Sequence, residues 1–221
     1  MRPTPRRGPL LASLMVPLLA WAPVLLVAGC ASPSPDLYSL EPRPGAVHTG
    51  PVLANGRTDV RRGLQAGGRR VVVVRGVGLP RYLEREEIVH SAGGTRLRVA
   101  GNDWWGEPLR VMLRRVLVAD LAQRLPGADV LADEGPIATH PDAEVEVDVQ
   151  RFDRDAGGRD PDGPVLLDGY AAVTAGPGRP RTLDRLRLGV PVAASTTKAQ
   201  VDAMSAALGQ VADIIAGRLA P

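Results

Sequence analysis

The sequence predicts an α+β domain in which a largely antiparallel sheet is covered on one face by two long helices. Valines alternate with polar residues over positions 144–152, which is the pattern of a strand with one buried face. Apolar residues recur at helical spacing over positions 102–125 and again over 198–219. Short connections join these segments, so both helices are expected to pack on the sheet.

The other strands are predicted from β-branched runs and from turn signals. The valine run at 71–74 is short and bounded by glycines, which is typical of a strand buried on both faces. Gly93 and Gly94 separate the two strands of a predicted hairpin, and a Gly/Pro turn at 176–178 separates two strands of an antiparallel meander. The predicted strands lie at 37–40, 71–74 with a continuation through 77, 87–90, 95–99, 130–131, 165–174 and 183–190.

The first predicted helix lies within positions 102–125. Asn102 or Asp103 is expected to cap its start. Pro108 is tolerated only in the first turn, so the regular helix is expected to begin late in this segment. Only one of two adjacent aromatic side chains can face the core from a helix, and the spacing assigns Trp105 to the core and Trp104 to its rim.

The second predicted helix covers positions 198–219 and carries a continuous apolar stripe. Thr197 and Gln200 have the spacing of a capping box, in which each side chain bonds the backbone N–H of the other residue. The stripe predicts that one side of this helix packs on the sheet.

Residues 1–29 have the three-part composition of a secretory signal peptide. Arg2, Arg6 and Arg7 precede an uncharged apolar stretch at 10–27, and small residues follow it. That stretch is near the length of a membrane-spanning helix, so an uncleaved membrane anchor is the alternative. Its very apolar composition fits general secretion better than twin-arginine export.

Cys30 favours cleavage with lipid attachment over an uncleaved anchor. The run LVAGC at 26–30 is similar to the lipobox of bacterial lipoproteins, where a diacylglyceryl group is placed on the cysteine thiol and the chain is cut just before it. Cys30 is the only cysteine, so it has no partner for an intramolecular disulfide. Cys30 is therefore the predicted lipidation site, with a buried free thiol as the alternative.

The remainder of the chain is predicted to form a lipidated tether at 30–36 and a single domain at 37–221. Ala, Ser and Pro dominate residues 31–36, which cannot bury apolar area. Within the domain, residues 42–70 are rich in Gly and Pro and poor in large apolar side chains. This composition predicts a mobile loop.

The net charge of +3 resides in the predicted signal peptide. Its three arginines are the only charged residues before Cys30, so the rest of the chain carries equal numbers of basic and acidic groups. Nucleic-acid binding requires a clustered surplus of cations. The sequence therefore argues against a nucleic-acid partner.

No sequence pattern indicates an enzyme, a metal site or a cofactor site. His48, His90 and His140 are far apart and lie in no zinc-binding spacing. The chain has no G-x-S-x-G elbow and no phosphate-binding glycine motif, and a secreted hydrolase would need a Ser, His and Asp group that the sequence does not reveal. Aspartates at 153, 155, 160 and 162 lack the calcium-loop pattern and are interpreted as turn residues.

Several short segments, taken in their order along the chain, carry a family resemblance. They are the lipobox at Cys30, LYSL at 37–40, VGLPRYL at 77–83, WGEPL at 105–109, VLVADL at 116–121, VQRFD at 149–153 and the Ala-rich last helix. Together they resemble the ABC-type transport auxiliary lipoproteins, the PqiC-like family. The long loop at 42–70 departs from that family, as does Tyr170, where a tryptophan is common.

The resemblance implies a lipoprotein of the outer membrane that faces the periplasm and is not an enzyme. It implies a docking subunit that works with an MCE-domain protein and inner-membrane transporter subunits in moving lipids between membranes, and so supports outer-membrane integrity. Ala31, directly after Cys30, is compatible with outer-membrane sorting. Ring formation in the family makes a homo-oligomer a further expectation.

The contact surface for a partner is predicted at Leu79, Pro80, Tyr82 and Leu83, which follow the valine strand, and at Trp104 on the rim of the core. The outward faces of the strands are a further predicted contact surface. The alternative function is a periplasmic lipid-binding carrier, which would hold lipid in a cavity of its own.

Overall fold

Eight strands and two α-helices form the part of the chain that the computed structural model describes, namely residues 34–45, 69–134, 140–156, 163–176 and 178–219. The strands are β1 (Asp36–Tyr38), β2 (Arg70–Gly78), β3 (Glu87–Ser91), β4 (Leu97–Trp105), β5 (Ala128–Ala132), β6 (Ala143–Asp155), β7 (Val165–Thr174) and β8 (Arg181–Val190). The helices are α1 (Leu109–Arg124) and α2 (Thr197–Leu219), and a 3-10 turn at Arg81–Leu83 follows β2.

The predicted signal peptide, Cys30 and residues 46–68 of the predicted loop lie outside the described residues. The first residues of that loop, 42–45, are described and contact both helices. The Arg43 backbone N–H donates to Asp120 of α1 at 2.7 Å, and the Arg43 guanidinium pairs with Asp202 of α2 at 3.0 Å. The beginning of the loop is therefore held by the two helices.

Strand β6 lies at the centre of the sheet because it pairs with three other strands. β7 pairs with it antiparallel between Glu144 and Arg154. β2 and β3 pair with it in parallel, β2 at residues 143–148 and β3 at residues 154–155, so these two strands share its other edge. With 13 residues, β6 is long enough to pair with both β2 and β3 along that edge.

The predicted α+β class is confirmed, and the sheet is mixed. The pairs β1–β4, β2–β5, β2–β6 and β3–β6 are parallel, whereas β3–β4, β6–β7 and β7–β8 are antiparallel. The predicted hairpin and meander correspond to the antiparallel pairs. The parallel pairs join strands that are distant in sequence, and alternation of side chains along one strand carries no information about such a partner.

The first helix begins at Leu109, late in its predicted segment as expected, and residues 102–105 belong to β4. The backbone N–H of Trp105 donates to the carbonyl of Glu86 at 2.6 Å, which extends the sheet to this point. Pro108 then precedes the first helical residue. Asn102 does not cap a helix, since its side chain donates to the carbonyl of Ser34 at 2.6 Å. Trp105 is nevertheless buried, and Trp104 is half-buried.

The predicted capping box at the start of α2 is wrong. The residue that caps the helix is Thr196, whose hydroxyl accepts from the backbone N–H of Ala199 at 3.2 Å. The Gln200 side chain instead reaches the sheet and donates to the carbonyl of Val89 at 3.1 Å. The Thr197 hydroxyl donates to Asp103 of β4. Two tertiary contacts have therefore replaced the local pair.

Both helices lie on one face of the sheet, and the side chains between them form the core. Along β6, Val145, Val147 and Val149 are buried while Glu146 and Asp148 are exposed. α1 contacts β2 and β5, and α2 contacts β6, β7 and β8. Fully burying a side chain such as Leu or Val contributes ~1.5–3 kcal/mol. The helices supply buried Leu109, Met112, Leu113, Val116, Leu117, Leu121, Met204, Leu208, Val211 and Ile215.

A buried polar network joins the two helices within this core. Asp120 of α1 has a fully buried side chain that lies 3.5 Å from Arg124 one turn later. Arg124 also pairs with Asp213 of α2 at 2.6 Å and donates to the carbonyl of Gly209 at 3.0 Å. Burial raises the pKa of Asp120. One guanidinium therefore links both helices.

Among the helices that the structure describes, none combines the length and hydropathy needed to cross a membrane.

Candidate partner-binding surface

The segment after β2 holds four of the five residues predicted to contact a partner, and it is partly buried. Leu83 is 3% exposed and belongs to the core. Leu79 and Tyr82 pack against the core with part of each side chain accessible. The carbonyl of Pro80 accepts from the backbone N–H of Leu83 at 3.0 Å, which closes the 3-10 turn. A partner can therefore reach the rim of this turn, but not Leu83.

Tyr82 is held by a polar contact that fixes the turn to the sheet. Its hydroxyl donates to Asp153 of β6 at 2.7 Å, and Asp153 also pairs with Arg151 at 3.1 Å. Burial, followed by the hydrogen bond to Asp153, raises the pKa of Tyr82 far above its usual range. The phenol therefore stays protonated and acts as a donor to a buried carboxylate.

Trp104 lies apart from this turn and lines a surface groove of about 510 Å³. Three segments form the groove: the connection between the 3-10 turn and β3, the end of β4, and the first turn of α1. Its lining is mainly apolar and includes Trp105, Pro108 and Leu109 as well as Trp104. Val111, also in the lining, is one of the exposed large apolar side chains in the described part of the chain.

The walls of the groove are tied together by Arg110, at the start of α1. Its guanidinium donates to the carbonyl of Val77 at 3.0 Å and pairs with Glu84, so α1 is joined both to β2 and to the connection before β3. The bond between Trp105 and Glu86 joins that same connection to β4. A groove with its walls fixed in this way loses little conformational freedom when a partner binds.

Paired charges surround the apolar floor. Glu107 pairs with Arg115 at 2.6 Å, and Arg85 pairs with Glu87 at 3.2 Å. The neighbouring Arg85 lowers the pKa of Glu87, so that carboxylate stays ionised. Apolar floor and charged rim together resemble the anatomy of a protein–protein contact surface. Sequence reasoning missed Val111, although an apolar residue off the buried stripe of a helix is the signal that could have found it.

A second concavity of about 500 Å³ lies on the sheet face opposite the helices. Arg75 and Glu144 pair there at 2.7 Å, and Arg181 and Glu146 pair at 2.5 Å. Gly78 contributes no side chain, and a Cβ at this position would meet the Asp148 carboxylate. The ion pairs make this concavity polar, and Arg110 lies between it and the Trp104 groove.

The histidines predicted to be unrelated lie apart where they are described. His90 is in β3, and His140 precedes β6. Within residues 34–45, 69–134, 140–156, 163–176 and 178–219, no group of three or more His, Cys, Asp or Glu side chains is arranged to hold a metal ion.

Two solved structures share this fold. One, the crystal structure of an uncharacterized protein, is 21% identical with a TM-score of 0.64 and covers 85% of this chain and 100% of that chain. The other, protein XCC0632 from Xanthomonas campestris, is 16% identical with a TM-score of 0.59 and covers 83% of this chain and 94% of that chain.

Curated proteins are similar over a shorter stretch. The intermembrane transport lipoprotein PqiC of Escherichia coli strain K12 and that of Shigella flexneri are each 37% identical over 60 residues. The stretch is 27% of this chain and 32% of each relative, so the chain spans about a third of the length of the curated relatives it matches. A family model described as the ABC-type transport auxiliary lipoprotein component matches residues 56–216. That match takes in most of the domain, and the chain belongs to the family of ABC-type transport auxiliary lipoproteins.

Proposed function

We propose that this protein is a lipid-anchored docking subunit of an MCE-type system that moves lipids between membranes. The observation that carries the proposal is the coincidence of a family match over residues 56–216 with a lipobox ending at Cys30. The lipid on Cys30 holds the domain at the outer membrane, facing the periplasm. There it meets an MCE-domain protein that is itself joined to inner-membrane transporter subunits.

Tethering is what makes docking effective in this arrangement. A domain held at a membrane by a short chain has a high effective concentration for a partner that ends at the same membrane. Weak contacts between the partner and one groove of the domain are then sufficient for docking. The Trp104 groove supports the proposal because it is apolar, open at the surface and bounded by elements that are tied together through Arg110.

A carrier that encloses lipid is the alternative function. The concavity opposite the helices is lined by ion-paired Arg75 and Arg181, which is unfavourable for an acyl chain. The Trp104 groove is apolar but open at the surface. Docking therefore accounts better than enclosure for these two concavities.

The lipid anchor is tested by mass spectrometry of the protein from membranes and by the variant Cys30→Ser. We expect a diacylglyceryl group on Cys30 at the mature N-terminus, release of the variant from membranes, and accumulation of uncut lipid-modified precursor when globomycin is added. An unmodified thiol, or a mature terminus elsewhere, would contradict the anchor and with it the docking function.

The docking groove is tested by recovering the protein from detergent-solubilised membranes and identifying the proteins bound to it. We expect an MCE-domain protein with the wild type and much less of it with Trp104→Ala. Leu183→Ala, a change to an exposed side chain on β8, is the matched control and should leave recovery unchanged.

Three outcomes of the same experiment would count against the proposal. Recovery without any MCE-domain protein would contradict the docking function. Equal recovery of the MCE-domain protein by Trp104→Ala and the wild type would show that the contact lies outside the Trp104 groove. Lipid that stays bound to the isolated protein in stoichiometric amount would favour the carrier. The mass of the solubilised complex tests the expectation of a homo-oligomer.

A further inference from the structure

The β3–β4 hairpin combines two exposed apolar side chains with two exposed arginines. Leu97 is 48% exposed and Val99 is 43% exposed, and as alternate residues of β4 they point to the same side of the strand. Arg96 and Arg98 are exposed, and neither forms an ion pair with any residue in the described part of the chain. Apolar side chains flanked by arginines suit the boundary between acyl chains and phosphate headgroups.

The chain that leads to Cys30 runs toward this hairpin. β1 pairs in parallel with the end of β4, with Asp36 opposite Asp103. Residues before Asp36 therefore extend toward the beginning of β4, where the hairpin turn lies. The hydrogen bond from Asn102 to the carbonyl of Ser34 shows that the chain still follows β4 at this point.

The length of the remaining chain limits how far the anchor can lie from the hairpin. Cys30 lies four positions before Ser34, and a fully extended chain spans at most ~14 Å over four residue steps. Along β4, the five residue steps from Asn102 back to Leu97 span ~17 Å. The tether is therefore no longer than the stretch of β4 that leads to the hairpin, so a bilayer that holds Cys30 lies within reach of the hairpin.

The turn of the hairpin is closed by two backbone hydrogen bonds. Ala92 donates to the carbonyl of Arg96 at 2.8 Å, and Arg96 donates to the carbonyl of Gly93 at 3.2 Å. Gly93 and Gly94 have φ values of 91° and 60°, which strongly favour glycine. The exposed side chains of β4 are thus presented on an ordered strand.

We infer that the β3–β4 hairpin is a lipid-contact site, in which Leu97 and Val99 enter the acyl boundary and Arg96 and Arg98 bind phosphate headgroups. The inference rests on the proposed lipidation of Cys30, because the short tether is what brings the hairpin to the bilayer. The hairpin then sets the orientation of the domain on the membrane. A flexible lipid anchor alone does not provide that orientation.

The test uses the full-length lipidated protein in vesicles of phosphatidylethanolamine and phosphatidylglycerol. Lipidation consumes the thiol of Cys30, so Leu97→Cys carries one free thiol for an environment-sensitive nitrobenzoxadiazole dye. Leu183→Cys, on β8 and 67% exposed, is the matched control. We expect a blue-shifted emission for the dye at 97 and loss of most of its intensity when the acyl chains are brominated. The dye at 183 should keep its intensity.

A second pair of variants tests the headgroup contact. Arg96→Glu with Arg98→Glu, made in the Leu97→Cys protein, should abolish quenching while the protein still floats with the vesicles. Arg185→Glu with Arg187→Glu reverses two exposed arginines of β8 and should leave quenching unchanged.

The outcomes separate this inference from the proposed function. If the protein floats with the vesicles but brominated lipid does not quench the dye at position 97, the lipid-contact site alone is overturned. The same holds if the emission is blue-shifted without quenching, because another protein or a second copy then shields the dye from water. Failure to float, with a free thiol at Cys30, would overturn both the anchor and the site.

Discussion

The helix-covered core and the exposed residues 95–99 of the β3–β4 hairpin belong to one sheet but differ in what their side chains contact. In the core, Leu117 and Val147 are packed between helix and sheet and almost no part of them is accessible. In the hairpin, Thr95 and the four residues after it are all exposed. The stability of the domain therefore comes mainly from the first region, and the second is free to carry contacts with other molecules. Substitutions can test whether these two properties are separate.

The largest effect is expected from Asp120→Ala, which removes a buried carboxylate between the helices. The backbone N–H of Arg43 would lose its acceptor, and Arg124 would keep only Asp213 as an ion-pair partner. Breaking a buried pair in this way costs ~3 kcal/mol of unfolding free energy. Urea denaturation followed by circular dichroism measures it.

Asp120→Asn is the control for that change. Its side-chain oxygen can still accept from Arg43, and an amide carries no charge to bury. We therefore expect a smaller loss than with alanine. Equal losses for the two variants would show that the charge of Asp120 beside Arg124 matters more than the hydrogen bond to Arg43.

A smaller loss is expected from Gly169→Ala at the centre of the sheet. A Cβ at position 169 would overlap the carbonyl oxygen of Asp148 and lie 3.1 Å from the Cα of Val149. Both are backbone atoms of β6, so β6 and β7 would have to separate locally. Overpacking of this kind costs ~1–3 kcal/mol. Gly189→Ala, where a Cβ would be 3.5 Å from the side chain of Leu166, is the control and should be tolerated.

His90 lies at the junction of the two regions, and we expect its titration to make the unfolding free energy of the domain depend on pH. Burial, and then the charges of Arg154 and Arg98, lower its pKa below the usual 6.5, while Asp153 opposes them. The folded protein therefore binds this proton less tightly than the unfolded chain. The resulting stability is present above pH 6.5 and is lost as the pH falls through 6.5 toward the lower folded pKa.

Denaturation curves between pH 7.5 and 5 measure this dependence. The variant His90→Gln should lose less stability over that range than the wild type. Parallel curves for the two proteins would assign the acid sensitivity to other groups.

The smallest effect on stability is expected from Leu97→Ala in the hairpin. The side chain is half exposed, so its removal should change the unfolding free energy by no more than ~0.5 kcal/mol. A loss as large as that for Gly169→Ala, seen as a comparable drop in Tm, would mean that Leu97 contributes to the packing of the core. The comparison between the two regions would then fail.

Sequence reasoning succeeded where a pattern is local. The alternation at 144–152, the meander at 165–190 and the apolar stripe at 198–219 all correspond to observed elements. It failed where a distant contact decided the outcome. Asn102 has the properties of a helix cap, yet it bonds Ser34, and Gln200 has the spacing of a capping box, yet it bonds Val89. Each of these polar side chains could bond either a nearby backbone group or one that is distant in sequence. Only the folded chain shows which of the two lies within hydrogen-bond distance.

The candidate site shows the same division. The sequence predicts a partner-contact surface at Leu79, Pro80, Tyr82 and Leu83, but the fold buries Leu83 and uses Tyr82 to bond Asp153. The groove beside Trp104 needs three segments that meet only after β4 has paired with β1 and β3. All of its walls lie between Glu84 and Val111, but they face one another only because of these strand pairings.

The sequence by itself determined the class of the fold, the buried faces of its strands and helices, and the predicted attachment point at Cys30, because each depends on residues that are neighbours along the chain. Tertiary structure alone decided that β6 pairs with both β2 and β3, that residues 102–105 extend β4, and that β1 runs parallel to the end of β4. These features depend on which distant backbone groups bond to each other. That choice is made by the packing of the whole sheet rather than by any single segment.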